Sequence, residues 1–296
     1  MNDALNNLSP LDGRYREKTQ DTRANFSESA LIKARLIAEI EWLDYFLTNF
    51  KPEWRDPETT NKIQELSKNI PDSLVEKVKE IEKTTNHDVK AVELALAEEF
   101  KHSESVQASL HIFLTSEDIN SLSYALMLKK SHNKLLKWVE EIIAALESLA
   151  SENKNIAMMA RTHGQPASPT TLGKEINVFV ARLKKEHATL SKAKFYAKWG
   201  GATANYNPHS VAFPQENWVE HSKKFLNHLD IELTVVSTQI EPHDYMSEIF
   251  HNILRINNIL IDLTRDIWSY ISLDYFSLKM NKNEVGSSTM PHKVNP

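Results

Sequence analysis

The segment 286–296 combines adjacent hydroxyl side chains with a cation and a side-chain amide, and it favours neither helix nor strand. Gly286 makes the backbone flexible at the start of the segment. Pro291 and Pro296 have no backbone N–H to donate, which disfavours regular structure. Backbone N–H groups and a lysine in such a loop can hold a carboxylate and stabilise a serine that has lost its proton. Ser287 and Lys293 are therefore candidates for acid–base chemistry, and the residues alone do not favour Ser287 over His292 as a base. Composition alone also allows a serine-rich linker.

A second candidate is His163, which lies in the string Ala-Arg-Thr-His-Gly-Gln-Pro-Ala at 160–167. Gly164 and Pro166 interrupt the helical pattern there, so the imidazole is expected at a fixed break in the chain. Histidine gains or loses a proton near neutral pH and suits a general acid or base. We expect the next helix to begin at Ser168–Pro169, with proline in its first turn.

Two further segments read as helix starts that could hold an anion. Thr85 with Asp88, and Thr115 with Asp118, have the spacing of capping boxes. Free N–H groups at such ends favour a negatively charged ligand, but a capped surface helix is the alternative reading. Residues near the two starts that could contact a ligand are Asn86, His87, Asp88, His111, Thr115 and Ser116.

Long helices must position these groups, because apolar residues recur every three or four positions along most of the chain. A heptad seam through Leu128, Leu135, Ile142 and Leu149 predicts a helix of about 35 residues, near 50 Å long. Only six glycines occur, which favours uninterrupted helices. We predict an all-α protein with a small helical N-terminal domain over 1–110 and a long-helix bundle over 111–296.

Composition excludes several functional classes. The net charge of −5 gives no indication of a nucleic-acid partner, and the absence of cysteine excludes thiol chemistry and fits the cytoplasm. Neither dinucleotide nor P-loop glycine motifs occur, and His243–Asp244 lacks metal-ligand spacing, so we predict no cofactor and no metal. We expect no membrane span and no secretory leader.

The string Gly-Ser-Ser-Thr-Met-Pro-His-Lys-Val-Asn-Pro at 286–296 resembles the signature loop of the fumarase/aspartase superfamily. Thr-Ser-Glu-Asp-Ile-Asn at 115–120 and Arg-Thr-His-Gly-Gln-Pro-Ala at 161–167 resemble its other two active-site regions. Asp-Gly-Arg-Tyr at 12–15 and Thr-Thr-Asn-His-Asp-Val-Lys-Ala-Val-Glu at 84–93 are similar to the adenylosuccinate lyases within it. Without that resemblance, residues 1–25 would read as a surface arm.

The resemblance implies a β-elimination of fumarate from adenylosuccinate, giving AMP, and from succinyl-aminoimidazole carboxamide ribotide, giving AICAR. It also implies His163 as the acid that protonates the leaving nitrogen and Ser287 as the base. The implied substrate-binding residues are Arg14, Tyr15, Asn86, His87, Asp88, His111, Thr115, Ser116, Gln239, Lys293 and Asn295.

The resemblance further implies a cytoplasmic homotetramer whose sites each combine regions from three subunits. The chain would be the first part of a longer enzyme, without the small C-terminal domain of the superfamily. Argininosuccinate lyase, another fumarate-releasing lyase of the superfamily and a non-catalytic structural relative remain as alternatives. Asn86–Asp88 and the Gln239 segment favour the purine enzyme over argininosuccinate lyase.

Overall fold

The computed structural model describes residues 7–279, 286–290 and 293–294 of the chain. Helices dominate it, as the apolar spacing predicts. The helices are α1 (Gln20–Phe26), α2 (Glu28–Phe50), α3 (Pro57–Lys68), α4 (Asp72–Thr85), α5 (Asp88–Glu99), α6 (Glu104–Gln107), α7 (Ser116–Glu152), α8 (Leu172–Leu190), α9 (Asn207–Ala212), α10 (Trp218–His228) and α11 (Asp244–Ser272), with a 3-10 turn at Pro52–Trp54. The strands are β1 (Ala157–Thr162), β2 (Gln165–Thr171), β3 (Tyr196–Ala197) and β4 (Glu232–Leu233).

The chain forms two compact units, and each is built from two separate stretches of sequence. The first unit contains Met1–Leu135 and Lys194–Met246, and the second contains Leu136–Ala193 and Ser247–Pro296. The predicted division into domains at residue 110 stays a prediction. Within the described ranges, no helix is both long and apolar enough to cross a membrane.

The core of the first unit is organised around α2. Leu36, Ile40, Leu43 and Leu47 are fully buried, as their spacing of four and three residues predicts. Apolar residues of α3, α4 and α5 pack in the same cluster. Each buried leucine or isoleucine contributes about 1.5–3 kcal/mol relative to an exposed one, so α2 is anchored strongly along its apolar side.

An aromatic cluster joins the second stretch of the first unit to α2. Trp42 on α2 lies 5.4 Å from Trp199 and 5.2 Å from Phe225, measured between ring centroids. His209 is fully buried nearby, with its ring 4.8 Å from Trp218. Neither ring nitrogen of His209 has a hydrogen-bond partner among the described residues. Burial, together with the charge of Lys198, lowers the pKa of His209 to about 4.

Helix α7 is 37 residues long, close to the predicted length. Leu128 of the predicted seam is buried and Leu135 and Ile142 are partly buried, whereas Leu149 is exposed. The first part of α7 belongs to the first unit and the remainder to the second. One helix therefore contributes to both cores.

A buried ion pair fixes the start of α7. Lys198 Nζ lies 2.5 Å from Asp118 Oδ1, and both side chains are fully buried. The backbone N–H groups of Gly200 and Gly201 also donate to the Asp118 carboxylate, each at 3.1 Å. Lys198 in turn donates to the carbonyl of Gly201 at 3.0 Å. Segment 198–201 is thus tied to the helix N-terminus by charged hydrogen bonds that have no competition from water.

Two small sheets depart from the all-α expectation without changing the fold class. β3 and β4 form a parallel pair of two residues each, and β1 and β2 form an antiparallel hairpin. The expectation that a helix begins at Ser168–Pro169 is wrong, because both residues lie in β2. Helix α8 begins at Leu172, and the Thr171 side chain accepts from the N–H of Lys174 at 3.2 Å to cap it.

We expect Lys198→Met to lower the free energy of unfolding by about 3–5 kcal/mol, because it leaves the Asp118 charge buried without its cation. The measurement is a urea titration of the full-length protein followed by tryptophan fluorescence, for which Trp199 is an adjacent probe.

The matched control is Lys194→Met. Lys194 pairs with Glu232 at 2.6 Å, but both side chains are largely exposed. That substitution is expected to cost less than about 1 kcal/mol. Equal losses of unfolding free energy in the two variants would show that the buried pair is no more important to stability than the exposed one.

The buried, neutral His209 predicts a loss of stability in acid. Its pKa is about 4 in the folded chain, against about 6.5 in the unfolded chain. The unfolded state therefore binds a proton first as the pH falls below 6.5, and the folded state loses roughly 3 kcal/mol by pH 4.

In His209→Phe this term disappears, so the stability measured by urea unfolding should fall less steeply between pH 6.5 and 4 than in the unsubstituted protein. Parallel pH curves for the two proteins would contradict the assignment of the acid sensitivity to His209.

Candidate functional site

The loop at 286–290 presents Ser287 to two backbone donors. Its Oγ accepts from the N–H of Thr289 at 3.3 Å and from the N–H of Met290 at 3.2 Å. The side chain is half-buried. Two N–H groups aimed at one oxygen stabilise negative charge on it, which is the loop property that the sequence suggested. Lys293 is exposed, and Asn295 lies outside the described residues.

His163 occupies the tip of the hairpin formed by β1 and β2. Thr162 pairs with Gln165, so His163 and Gly164 form a two-residue turn. Their φ angles of 50° and 74° are the pair of positive values that such a turn requires. The ring is exposed, and its Nδ1 lies 3.1 Å from the hydroxyl of Thr162. The histidine is therefore held at a fixed break, as predicted, but the break is a hairpin rather than a helical loop.

Hydrogen bonds to Tyr275, three residues beyond the end of α11, hold this hairpin in place. The hydroxyl of Tyr275 donates to the carbonyl of Met159 at 3.2 Å. Arg161 donates to the same hydroxyl at 3.4 Å and to the carbonyl of Gly164 at 3.2 Å. The turn carrying His163 is thus braced from within the second unit.

Asn86, His87 and Asp88 lie between α4 and α5, and His87 is the residue that caps α5. The capping box predicted for Thr85 is wrong, because Thr85 is the last residue of α4. Asn86 adopts a left-handed conformation with φ 50°, which ends α4 and turns the chain directly into α5. His87 Nδ1 then accepts from the N–H of Lys90 at 3.2 Å. The helix N-terminus is present, but its capping residue is His87, two residues later than expected.

Thr115 and Ser116 lie at the start of α7, as predicted. The N–H of Thr115 donates to Asp118 Oδ2 at 2.8 Å, which is one half of the predicted capping box. Both residues are half-buried. Because Asp118 is itself held by Lys198, the position of Thr115 depends on the buried ion pair.

His111 precedes this start and is held by a carboxylate from α2. Its Nδ1 lies 2.6 Å from Glu39 Oε1, and its φ of 54° is unusual for a residue with a side chain. Arg35, one turn earlier on α2, contacts both helix starts. It lies 2.7 Å from Asp88 Oδ2 and donates to Asn120 Oδ1 at 2.9 Å.

Burial alone would raise the pKa of Asp88, but the charge of Arg35 and the N–H of Val89 outweigh it and lower the pKa. Asp88 therefore remains a carboxylate well below neutral pH, and its attraction to Arg35 persists there.

The remaining predicted binding residues are less constrained. Arg14 and Tyr15 are exposed, with the guanidinium 5.6 Å from the tyrosine ring centroid. Gln239 is exposed in the segment between β4 and α11. The roles of these three side chains in binding stay predictions.

The first unit brings Asp88, His111 and Thr115 into one network through α2 and the start of α7. His163 and Ser287 belong to the second unit, and no contact between them occurs in the described part of the chain.

The sequence reasoning missed Arg35, Glu39 and Lys198. The signal for the first two was a charged pair four residues apart within the buried stripe of α2.

Comparison with known proteins places these motifs in a family. The model of the lyase family matches residues 13–296. Adenylosuccinate lyases from Legionella pneumophila (strain Corby), Dictyostelium discoideum and Escherichia coli (strain K12) are 47%, 44% and 40% identical to the chain. Each alignment covers 99% of this chain and 66% of the relative, so the chain spans just under two thirds of their length.

Solved structures show the same fold at low sequence identity. A fumarate lyase from Mesorhizobium sp. BNC1 aligns with a TM-score of 0.72 at 16% identity, covering 85% of this chain and 57% of its own. A β-carboxy-cis,cis-muconate cycloisomerase from Acinetobacter calcoaceticus sp. ADP1 aligns with a TM-score of 0.69 at 19% identity, with the same coverage. The resemblance to the fumarase/aspartase superfamily is thereby confirmed, and the chain belongs to the lyase family whose model covers it from residue 13 to residue 296.

Proposed function

We propose that the protein is an adenylosuccinate lyase that releases fumarate from adenylosuccinate and from succinyl-aminoimidazole carboxamide ribotide. The observation that carries this proposal is the identity of 40–47% over 99% of the chain with relatives named adenylosuccinate lyase. The cysteine-free composition fits a reducing compartment, so we also propose a cytoplasmic enzyme.

In the proposed reaction, Ser287 takes the proton from the carbon next to a carboxylate of the succinyl group. The N–H groups of Thr289 and Met290 stabilise the serine oxygen when it is negatively charged. The carbanion spreads its charge into the carboxylate, and Lys293 and Asn295 are proposed to hold that group. The electron pair of the carbanion then forms the double bond of fumarate as the carbon–nitrogen bond breaks.

His163 is the proposed acid that protonates the departing nitrogen. As the acid, the ring carries a proton on both nitrogens: its Nδ1–H can donate to the Thr162 hydroxyl, and the proton on Nε2 passes to the departing nitrogen, which leaves a neutral imidazole. An exposed ring at the tip of a braced hairpin can reach a substrate held by another element.

The helix starts of the first unit are proposed to bind the nucleotide. Asn86, His87, Thr115 and Ser116 lie where free N–H groups favour anions. Arg14 would donate to the phosphate through its planar guanidinium, with Tyr15 beside it. Gln239 would contact the substrate from its exposed segment. Asp88 and His111 lie beside these groups in the same network.

A homotetramer with shared sites would bring the three regions together. Helix α11 has an exposed apolar seam, in which Phe250, Leu254, Ile261 and Trp268 are 48–69% exposed. Their spacing of four, seven and seven residues is a heptad repeat, which suits a second helix. The opposite side of α11 is already buried through Ile249, Ile256 and Leu263. The exposed seam therefore supports assembly with further copies of the chain.

A fumarate absorbance assay of the full-length protein tests the function. Adenylosuccinate and the succinylated ribotide are expected to yield fumarate, whereas argininosuccinate is not. Turnover of argininosuccinate alone would assign the protein to a different lyase. No turnover of any of the three would favour a structural relative without activity.

Shared sites predict complementation between inactive variants. His163→Ala removes the proposed acid and Ser287→Ala the proposed base, so each alone should lower kcat by at least about a hundredfold with little change in stability. Mixing the two full-length variants under conditions that exchange subunits should restore part of the activity, since some hybrid sites contain both intact residues.

A mixture of unsubstituted and doubly substituted protein controls for the exchange step. Verified exchange without any recovery of fumarate release would contradict sites shared between subunits.

A further inference from the structure

The buried side of α2 contains a charged pair in an otherwise apolar helix. Arg35 and Glu39 lie one helical turn apart and are only 6% and 1% exposed. Burying such groups among leucines costs several kcal/mol unless they are paired and hydrogen-bonded. Their partners lie outside α2, in the segments that carry the proposed nucleotide contacts.

Glu39 is committed to His111. Its Oε1 lies 2.6 Å from the imidazole Nδ1, while its Oε2 is buried without a hydrogen-bond partner among the described residues. A carboxylate with one unsatisfied buried oxygen needs its cation more than an exposed one does. His111 also keeps a strained left-handed backbone, and the ring retains 18% of its side-chain exposure. With Nδ1 engaged, Nε2 is the nitrogen available to a ligand.

Arg35 ties the two helix starts together. It contacts Asp88 at the start of α5 and Asn120 in the first turn of α7, at 2.7 and 2.9 Å. Asn120 in turn donates to Glu117 at 2.7 Å. A single guanidinium therefore sets the separation of two helix N-termini, those of α5 at Asp88 and of α7 at Ser116.

We propose that Arg35 and Glu39 are positioning residues of the substrate site, in which Glu39 holds His111 as a charged donor toward a substrate anion and Arg35 fixes the two helix starts around it. This proposal rests on the proposed function, because it takes the ligand to be a nucleotide with a succinyl group. Neither α2 residue touches the substrate, so both act through the groups that do.

The charges around His111 agree with this role. Burial alone would lower the pKa of His111, but the hydrogen bond and charge of Glu39 raise it, with smaller contributions from Glu93 on α5 and Asp118 on α7. Because the pKa is raised, the ring stays cationic to a higher pH than a free histidine would. Attraction to an anion is present below that pKa and is lost as the pH rises through it.

The test is Glu39→Gln in the full-length protein. The protonation of His111 is measured from the pH dependence of hydrogen exchange at its imidazole C2, read by peptide mass spectrometry. The titration of His111 should move to lower pH. The KM for adenylosuccinate at pH 8 should rise about tenfold, and kcat should change less, because a charge-assisted contact to the bound substrate is lost.

Two further variants control for unrelated effects. Glu41→Gln removes the same charge two residues away on α2 and should leave the titration of His111 and the KM unchanged. Glu39→Asp keeps the charge and should preserve most of the raised titration. If Glu39→Gln does not fold, His111→Asn is used instead. The KM of the unsubstituted enzyme is expected to rise at alkaline pH, and His111→Asn should abolish that rise.

An unmoved His111 titration in folded Glu39→Gln, or an alkaline rise of KM that persists in His111→Asn, would overturn the proposal. A fall in kcat with unchanged KM and pH profile would also overturn it, since that is what loosened packing alone produces. Absence of fumarate release by the unsubstituted protein would instead refute the proposed function, and the exchange measurement does not depend on turnover.

Discussion

The start of α7 depends on the Asp118–Lys198 ion pair. Asp118 accepts from the side chain of Lys198 and from three backbone N–H groups, those of Thr115, Gly200 and Gly201. Both members are fully buried, so removing either one would leave a charge in the core without its partner. The position of Thr115 and Ser116 is therefore set by a residue eighty positions away in sequence.

Helix α2 has two functions on one buried side. Its leucines and isoleucines form the core of the first unit, and Arg35 and Glu39 project from the same helix into the polar network at the ends of α5 and α7. A rigid, well-packed helix is a better support for a binding site than a loop, because its side chains have few alternative rotamers. Core packing and site geometry are thus properties of the same element.

Much of the helical architecture could be predicted, because each long helix buries one side, and the spacing of its apolar residues reveals that side in the sequence. The heptad spacing predicted α7 and a length of about 35 residues, close to the 37 observed. The hairpin around His163 was not predicted. Its turn reads Thr-His-Gly-Gln and lacks the Asn-Gly pair typical of hairpins, and its second strand contains Pro166 and Pro169, which are unusual in strands. Only the pairing of the two strands in the structure reveals the hairpin.

The site was predicted as a set of motifs but not as a network. The resemblance to a lyase family named the residues at helix starts, and the structure confirms that Asp88 and Thr115 lie there. Nothing local distinguishes Lys198 from the other 34 lysines and arginines of the chain, because tertiary contacts alone bury it. The box at Thr85 failed for a local reason, since a left-handed Asn86 competes with it.

The discontinuity of the first unit has a consequence for biosynthesis. A ribosome releases the chain from its N-terminus, so α2 to α5 and the start of α7 emerge before Lys194–Met246, the stretch that completes their unit. Until Lys198 emerges, the Asp118 carboxylate has no cation and stays hydrated, and the aromatic surface of Trp42 lacks Trp199 and Phe225. Bringing the two stretches of the first unit together closes a long loop, and the conformational entropy lost in doing so slows this step. The nascent protein therefore passes through a period in which this apolar surface is uncovered, because Leu136–Ala193, the first stretch of the second unit, must be made before the first unit can close.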